Sequence, residues 1–189
     1  MTAEKNEILE MYVNDMHAVE QHILEAVERQ LESEDTAKYP EAKQLITKMQ
    51  STLKNHIQSL EQYQAANGGQ DESLFKNAVA KVAGFAAGLY DQIRADKVSR
   101  MLRDDYTALC LASVSYHMLM TTALSWKDQK LADLCDRNLN DLTSIIVKTG
   151  RIICNVVAEE LNDNDKAPTT NGATEAIRRT SDAWKTNHA

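Results

Sequence analysis

A single helical stripe runs through the first part of this chain. Leu9, Tyr12, Met16, Glu20, Ile23, Val27 and Leu31 recur at steps of three and four, the spacing that lines one face of an α-helix. The stripe predicts a helix from about Ala3 to Glu32. Little else in the chain interrupts such a pattern, because its 189 residues include only 6 glycines and 2 prolines. Few breakers mean few turns, and the abundant Ala, Leu, Glu, Lys, Gln and Met favour helix. The fold class that follows is all-α, built from few, long helices.

Four further segments continue the pattern. "SEDTAKYP" breaks the first stripe, and Pro40 suits the first turn of a second helix. That helix is expected from about Pro40 to Ala65 on the stripe Ala42, Leu45, Met49, Leu53, His56, Leu60 and Tyr63, and Asn67-Gly68-Gly69 ends it. A shorter helical region, rich in small residues, is expected over Glu72–Ala95. A long helix follows from Lys97 to Trp126, and another from Gln129 to Leu161 with Leu131, Leu134, Leu142, Ile145, Ile152 and Val156 on one side. After Leu161 the run "NDNDKAPTTNGAT" is polar and turn-rich. The chain therefore divides into a helical domain, residues 1–161, and a polar linker with a C-terminal segment, residues 162–189. That segment is expected to form a short helix docking through Trp184. Four long helices with an insertion between two hairpins describe a four-helix bundle with a helical crossover.

The formal net charge of −7 excludes a nonspecific nucleic-acid binder, which needs clustered Lys and Arg, and disfavours an anionic membrane surface. No apolar run reads as long enough to span a bilayer. The N-terminus lacks the basic-then-apolar layout of a signal peptide. Cys110, Cys135 and Cys154 lie far apart in apolar runs and read as buried free thiols. A cytoplasmic protein is expected. Gly84-x-x-x-Gly88 permits close helix approach, either the crossover packing on the bundle or a homodimer face; any other protein partner is unknown. Met16, Met49, Met118 and Met120 read as core filling. No phosphate-cradling loop, nucleophile elbow or HExxH is found.

Glu20 is the anomaly: a carboxylate on a seam meant for burial. In metal-binding helix bundles such glutamates combine with Glu-x-x-His pairs, whose spacing brings carboxylate and imidazole to one helix face. Around Glu20 the sequence "YVNDMHAVEQHILEAVERQ" resembles the first helix of the YciE/YciF group of ferritin-like proteins. Tyr12, Asn14, Glu20, Gln21, Ile23, Leu24 and Ala26 match, with Asp15 standing for a glutamate. Leu60 and Glu61 in "HIQSLEQYQAANGG" match the end of the second helix, and the likeness extends from about residue 5 to about residue 160. The resemblance implies a ferritin-like four-helix bundle, a stress-associated role and, where the ligands are present, a di-iron or di-manganese site.

The ligands are largely missing. None of the five histidines has Asp or Glu three residues before it, "SVSYHMLM" holds no carboxylate, and Asn140-Asp141 stands where the family has a Glu-Glu pair. A di-metal site must offset about four positive charges in a low-dielectric core, so no metal or other cofactor is expected. The residual candidates for a reduced site holding Fe, Mn or Zn are Glu20, His56, His117 and Asp141. The simpler expectation is that Glu20 and His56 hydrogen-bond to each other. His117 reads as a hydrogen-bonded core position, Asp141 as lying beside its stripe, and His17 and His22 as partly exposed. A structural or interaction role, without catalysis, follows. The alternatives are an oxidase or metal store built on the reduced site, and an apolar-ligand binder with a central cavity lined by Leu53 and Met118.

Overall fold

A computed structural model of the chain describes residues 3–67, 97–163, 168 and 170–186. Among these residues the regular structure is entirely helical. Helix α1 spans Ala3–Glu32, α2 Glu34–Ala37, α3 Pro40–Ala66, α4 Val98–Ser125, α5 Gln129–Asn162 and α6 Ala173–Thr186. The single turn of α2 was not expected inside "SEDTAKYP". It forms because the Ser33 hydroxyl accepts from the Asp35 N–H at its start, with Glu34 and Asp35 favourably placed in the first turn. The expected helix over residues 72–95, with Gly84 and Gly88, lies outside the described residues.

The four long helices pack in the cyclic order α1–α3–α5–α4. Cross-contacts fix their directions. Glu20 meets His56 while Glu28 meets Lys54, so α1 and α3 are antiparallel. Tyr63 meets Asp128 and Asn155 meets Glu41, so α3 and α5 are antiparallel. Ser99 with Glu160 and Tyr116 with Asn138 give the same relation for α4 and α5. Gln30 with Asp105, and Glu20 with Tyr116, give it for α1 and α4. Every neighbouring pair is antiparallel and both diagonals are parallel. Asn67 therefore ends α3 at one end of the ring and Lys97 opens α4 at the other.

The core is continuous through all four helices, with Met16, Ile46, Met49, Leu53, Leu60, Leu102, Leu109, Leu119, Leu131 and Leu142 fully enclosed. Met118 is not part of it. At 50% exposure it stands on the outer face of α4 with Val114, which corrects its expected place in the core. Helix α4 is also long and apolar enough to cross a membrane by length and composition, with a mean hydropathy of 1.3 in its most apolar window. The expectation that no segment reaches that threshold is corrected accordingly. Its Ala- and Leu-rich composition serves one face buried in the helix ring and an outer face that retains Val114 and Met118.

Two helix starts depend on side chains from elsewhere. Asp128 caps α5, accepting from the Leu131 N–H at 3.1 Å, and also accepts from the Tyr63 hydroxyl of α3 at 2.6 Å. Helix α4 has no capping side chain of its own. Buried Glu160 of α5 supplies the cap, accepting from the Ser99 N–H at 2.9 Å and the Ser99 hydroxyl at 2.6 Å. A carboxylate at a helix N-terminus satisfies orphan donors and complements the helix dipole. Glu160→Ala is therefore expected to lower stability by about 2–3 kcal/mol, read as a lower urea midpoint at constant m. A change below about 0.5 kcal/mol would mean that water replaces the carboxylate without cost.

The C-terminal helix α6 packs on α5, but not through Trp184, which is 61% exposed. Ala173 and Ala176 of α6 line a groove with Ile153, Cys154, Val157 and Leu161 of α5. Ala173 is buried, whereas Trp184 near the other end of the helix stands exposed.

Candidate functional site

Halfway along the ring, each long helix contributes one polar side chain to the same buried layer. These are Glu20 of α1, His56 of α3, Tyr116 of α4 and Asn138 of α5, all buried. Each lies on the inward stripe of its helix. For α4 that stripe is Leu102, Asp105, Leu109, Ala112, Tyr116, Leu119 and Ala123, again at steps of three and four.

The central contact joins Glu20 and His56. His56 Nδ1 lies 2.9 Å from Glu20 Oε1, with side-chain exposures of 2% and 0%. An N–H at Nδ1 donates to the carboxylate. The other ring nitrogen, Nε2, faces Asp141 Oδ2 at 3.4 Å, and the Asp141 side chain is 63% exposed. The imidazole is thus flanked by one buried and one solvated carboxylate. The Tyr116 ring meets the His56 ring edge-on, with centroids 6.2 Å apart. Asn138 Nδ2 donates to the Tyr116 hydroxyl at 2.7 Å and to the Ser59 hydroxyl at 3.3 Å. With its oxygen accepting from Asn138, the Tyr116 hydroxyl keeps its own proton to direct at Glu20.

Burial raises the Glu20 pKa above the ordinary carboxylate value, and the hydrogen bond and charge of His56 are the main opposing influences. Tyr116 and His17 act in the same lowering sense. Tyr116 in turn is held well above the usual phenol value by burial and by the neighbouring Glu20 carboxylate. Glu20 Oε2 nevertheless has no hydrogen-bond partner of full geometry. The Tyr116 hydroxyl still lowers the carboxylate's pKa through its hydrogen-bonding influence.

The candidates read from sequence separate here. Glu20 and His56 meet directly, and Asp141 touches the layer from its solvent side. His117 does not join them. It is exposed on the outer face of α4, because the helical turn that brings Tyr116 inward carries the next residue away. This corrects the expectation of a core histidine at position 117. His17 is corrected in the opposite sense. It is buried, with Nε2 at 3.2 Å from the exposed carboxylate of Glu61. His22 is partly exposed, as its place on the outer side of α1 requires. Leu53 is fully enclosed whereas Met118 is half exposed, so the two do not line a common central cavity. All three cysteines are free, but only Cys135 is fully buried; burial pushes its thiol up to about 12, far from a reactive thiolate.

The donor set does not fit a dinuclear metal centre. Glu20 is the one carboxylate buried in the layer, and each ring nitrogen of His56 already lies beside a carboxylate oxygen, Nδ1 at 2.9 Å from Glu20 and Nε2 at 3.4 Å from Asp141. Among the described residues no group of three or more His, Cys, Asp or Glu side chains is arranged to hold a metal. Tyr116 and Asn138 fill the remaining positions with neutral groups. The arrangement instead completes hydrogen bonds across all four helices, and that is the chemistry it supports.

No curated protein and no solved structure matches the chain. The chain does match one family model, over residues 4–148. On that match, which covers most of its length, the chain belongs to the family described as a domain of unknown function, DUF892.

Proposed function

We propose that this chain is a ferritin-like four-helix bundle of the YciE/YciF kind in which the di-metal centre has given way to a hydrogen-bonded polar layer. Its role is then structural or interaction-based, in the stress-associated setting that the resemblance implies. One observation carries the reading: the fully buried 2.9 Å contact between Glu20 and His56, in which the carboxylate and imidazole satisfy each other instead of an ion. The antiparallel ring with parallel diagonals supports the ferritin-like assignment, since that fold needs one long crossover between its two hairpins.

A protein partner suits this role better than nucleic acid or membrane. The net charge of −7 supports that choice, as do the exposed Val114 and Met118 on α4. A second copy of the chain is one such partner. Three free thiols fit a reducing, cytoplasmic setting.

Metal content tests the reading. The purified protein is loaded with Fe(II), Mn(II) and Zn(II) in turn, desalted, and measured by plasma mass spectrometry. The expected result is no retained metal. Two equivalents per chain would restore a ferritin-like redox centre. One equivalent, lost in Glu20→Ala, would establish a reduced site on Glu20, His56 and Asp141.

A further inference from the structure

Another fully buried carboxyl group lies away from the polar layer, and nothing in the proposed function uses it. Asp105 of α4 is 0% exposed. Its Oδ1 accepts from Gln30 Nε2 of α1 at 2.8 Å. The two atoms left over, Asp105 Oδ2 and Gln30 Oε1, are both buried and both lack a hydrogen-bond partner. Both are acceptors while the acid is ionised, and two buried acceptors on contacting side chains cannot satisfy each other. One proton changes that. Placed on Oδ2, it turns the carboxylate into a donor, and Gln30 Oε1 is the acceptor available on the same partner.

We propose that Asp105 and Gln30 form a buried proton-binding site between α4 and α1, in which a carboxylic acid and a carboxamide are closed into a cyclic pair by one dissociable proton. The surroundings favour the neutral acid. Burial pushes the Asp105 carboxyl up to about 7, the Gln30 amide opposes this, and the neighbouring Asp104 on α4 adds to it. From α1 the facing group is the uncharged Gln30 amide, and among the described residues no charged group of α3 or α5 acts on Asp105. This separates the site from Glu20, whose charge His56 offsets. Near neutral pH the site stands close to half discharged, and release of the proton leaves an uncompensated charge between two core helices.

The sign of the linkage follows from the shift. The folded protein holds the proton more tightly than the unfolded chain, whose aspartate has the ordinary value of 3.8. The stabilisation is complete below about pH 4 and is lost as pH rises to about 7. Other carboxylates also titrate, so the comparison is made with Asp105→Asn. The asparagine accepts from Gln30 Nε2 and donates to Gln30 Oε1, reproducing the protonated pair at every pH.

The test is urea unfolding of the full chain and of Asp105→Asn between pH 4 and 8, together with a carboxyl-carbon NMR titration of Asp105 in the wild type. The unfolding constant of the wild type, relative to the variant, is expected to rise by up to about tenfold per pH unit across the window, about a thousandfold in all. Parallel pH profiles for the two proteins would overturn the proposal. If Asp105→Asn does not fold, the NMR titration decides: a midpoint near neutrality supports the site, and one in the ordinary carboxylate range refutes it.

Discussion

Replacing His56 with alanine is expected to destabilise the protein by about 3–5 kcal/mol, because it breaks a buried pair from one side. Glu20 Oε2 already lacks a hydrogen-bond partner, and the substitution would strip Oε1 of its 2.9 Å contact as well. A fully enclosed carboxylate would then retain only the help of Tyr116 and His17. Two responses are open to it: protonation, or water entering the space vacated by the imidazole. Neither restores the lost interaction, since protonation at neutral pH is itself costly and water must be ordered inside an apolar shell. Urea unfolding at neutral pH measures the loss. A decrease under about 1 kcal/mol would show that Glu20 does not depend on His56.

Tyr116→Ala is the second large effect, about 3–5 kcal/mol as for other buried aromatic truncations. The ring is the largest of the fully enclosed side chains, and it packs edge-on against His56. Its removal opens a cavity beside the Glu20–His56 contact and strands Asn138, which donates to the hydroxyl at 2.7 Å. Tyr116→Phe separates these causes. It keeps the ring and removes only the hydroxyl, so a loss of about 1–2 kcal/mol is expected. Equal losses for Phe and Ala would mean that the hydroxyl, rather than the ring, holds the layer together.

The long helices were legible because their signals are local. The stripes of α1 and α3 and the position of Pro40 set their limits without reference to the rest of the fold, and Glu20 and His56 were visible as polar interruptions of those stripes. The other half of the layer was harder to read. In "SVSYHML" two aromatic or polar residues stand side by side, and only the phase set by Leu102, Leu109 and Leu119 decides that Tyr116 turns inward and His117 outward. The same count from Leu102 brings Asp105 into the core, and the count from Leu131 through Cys135 to Leu142 brings in Asn138. These signals lie in the period alone, which sets Tyr116, Asp105 and Asn138 on inward stripes and leaves His117 off them.

Other features had no local signal. That Glu160 caps α4 depends on the antiparallel pairing of two helices whose contacting residues lie 61 positions apart. That His17 is buried depends on α3 lying beside it, with Glu61 Oε1 3.2 Å from its Nε2. Trp184 illustrates the opposite error. A tryptophan in a tail suggests an anchor, yet it is Ala173 that is buried while Trp184 stands 61% exposed.

A double-mutant cycle between Glu20→Leu and His56→Leu tests the central claim most directly, namely that these two residues exist in the core for each other. Each single substitution leaves one buried polar partner unsatisfied, while the double substitution replaces both with apolar side chains. The predicted result is two destabilised single variants and a double variant that recovers much of the loss, with a coupling energy above about 2 kcal/mol. Additive losses, with no recovery in the double variant, would contradict it.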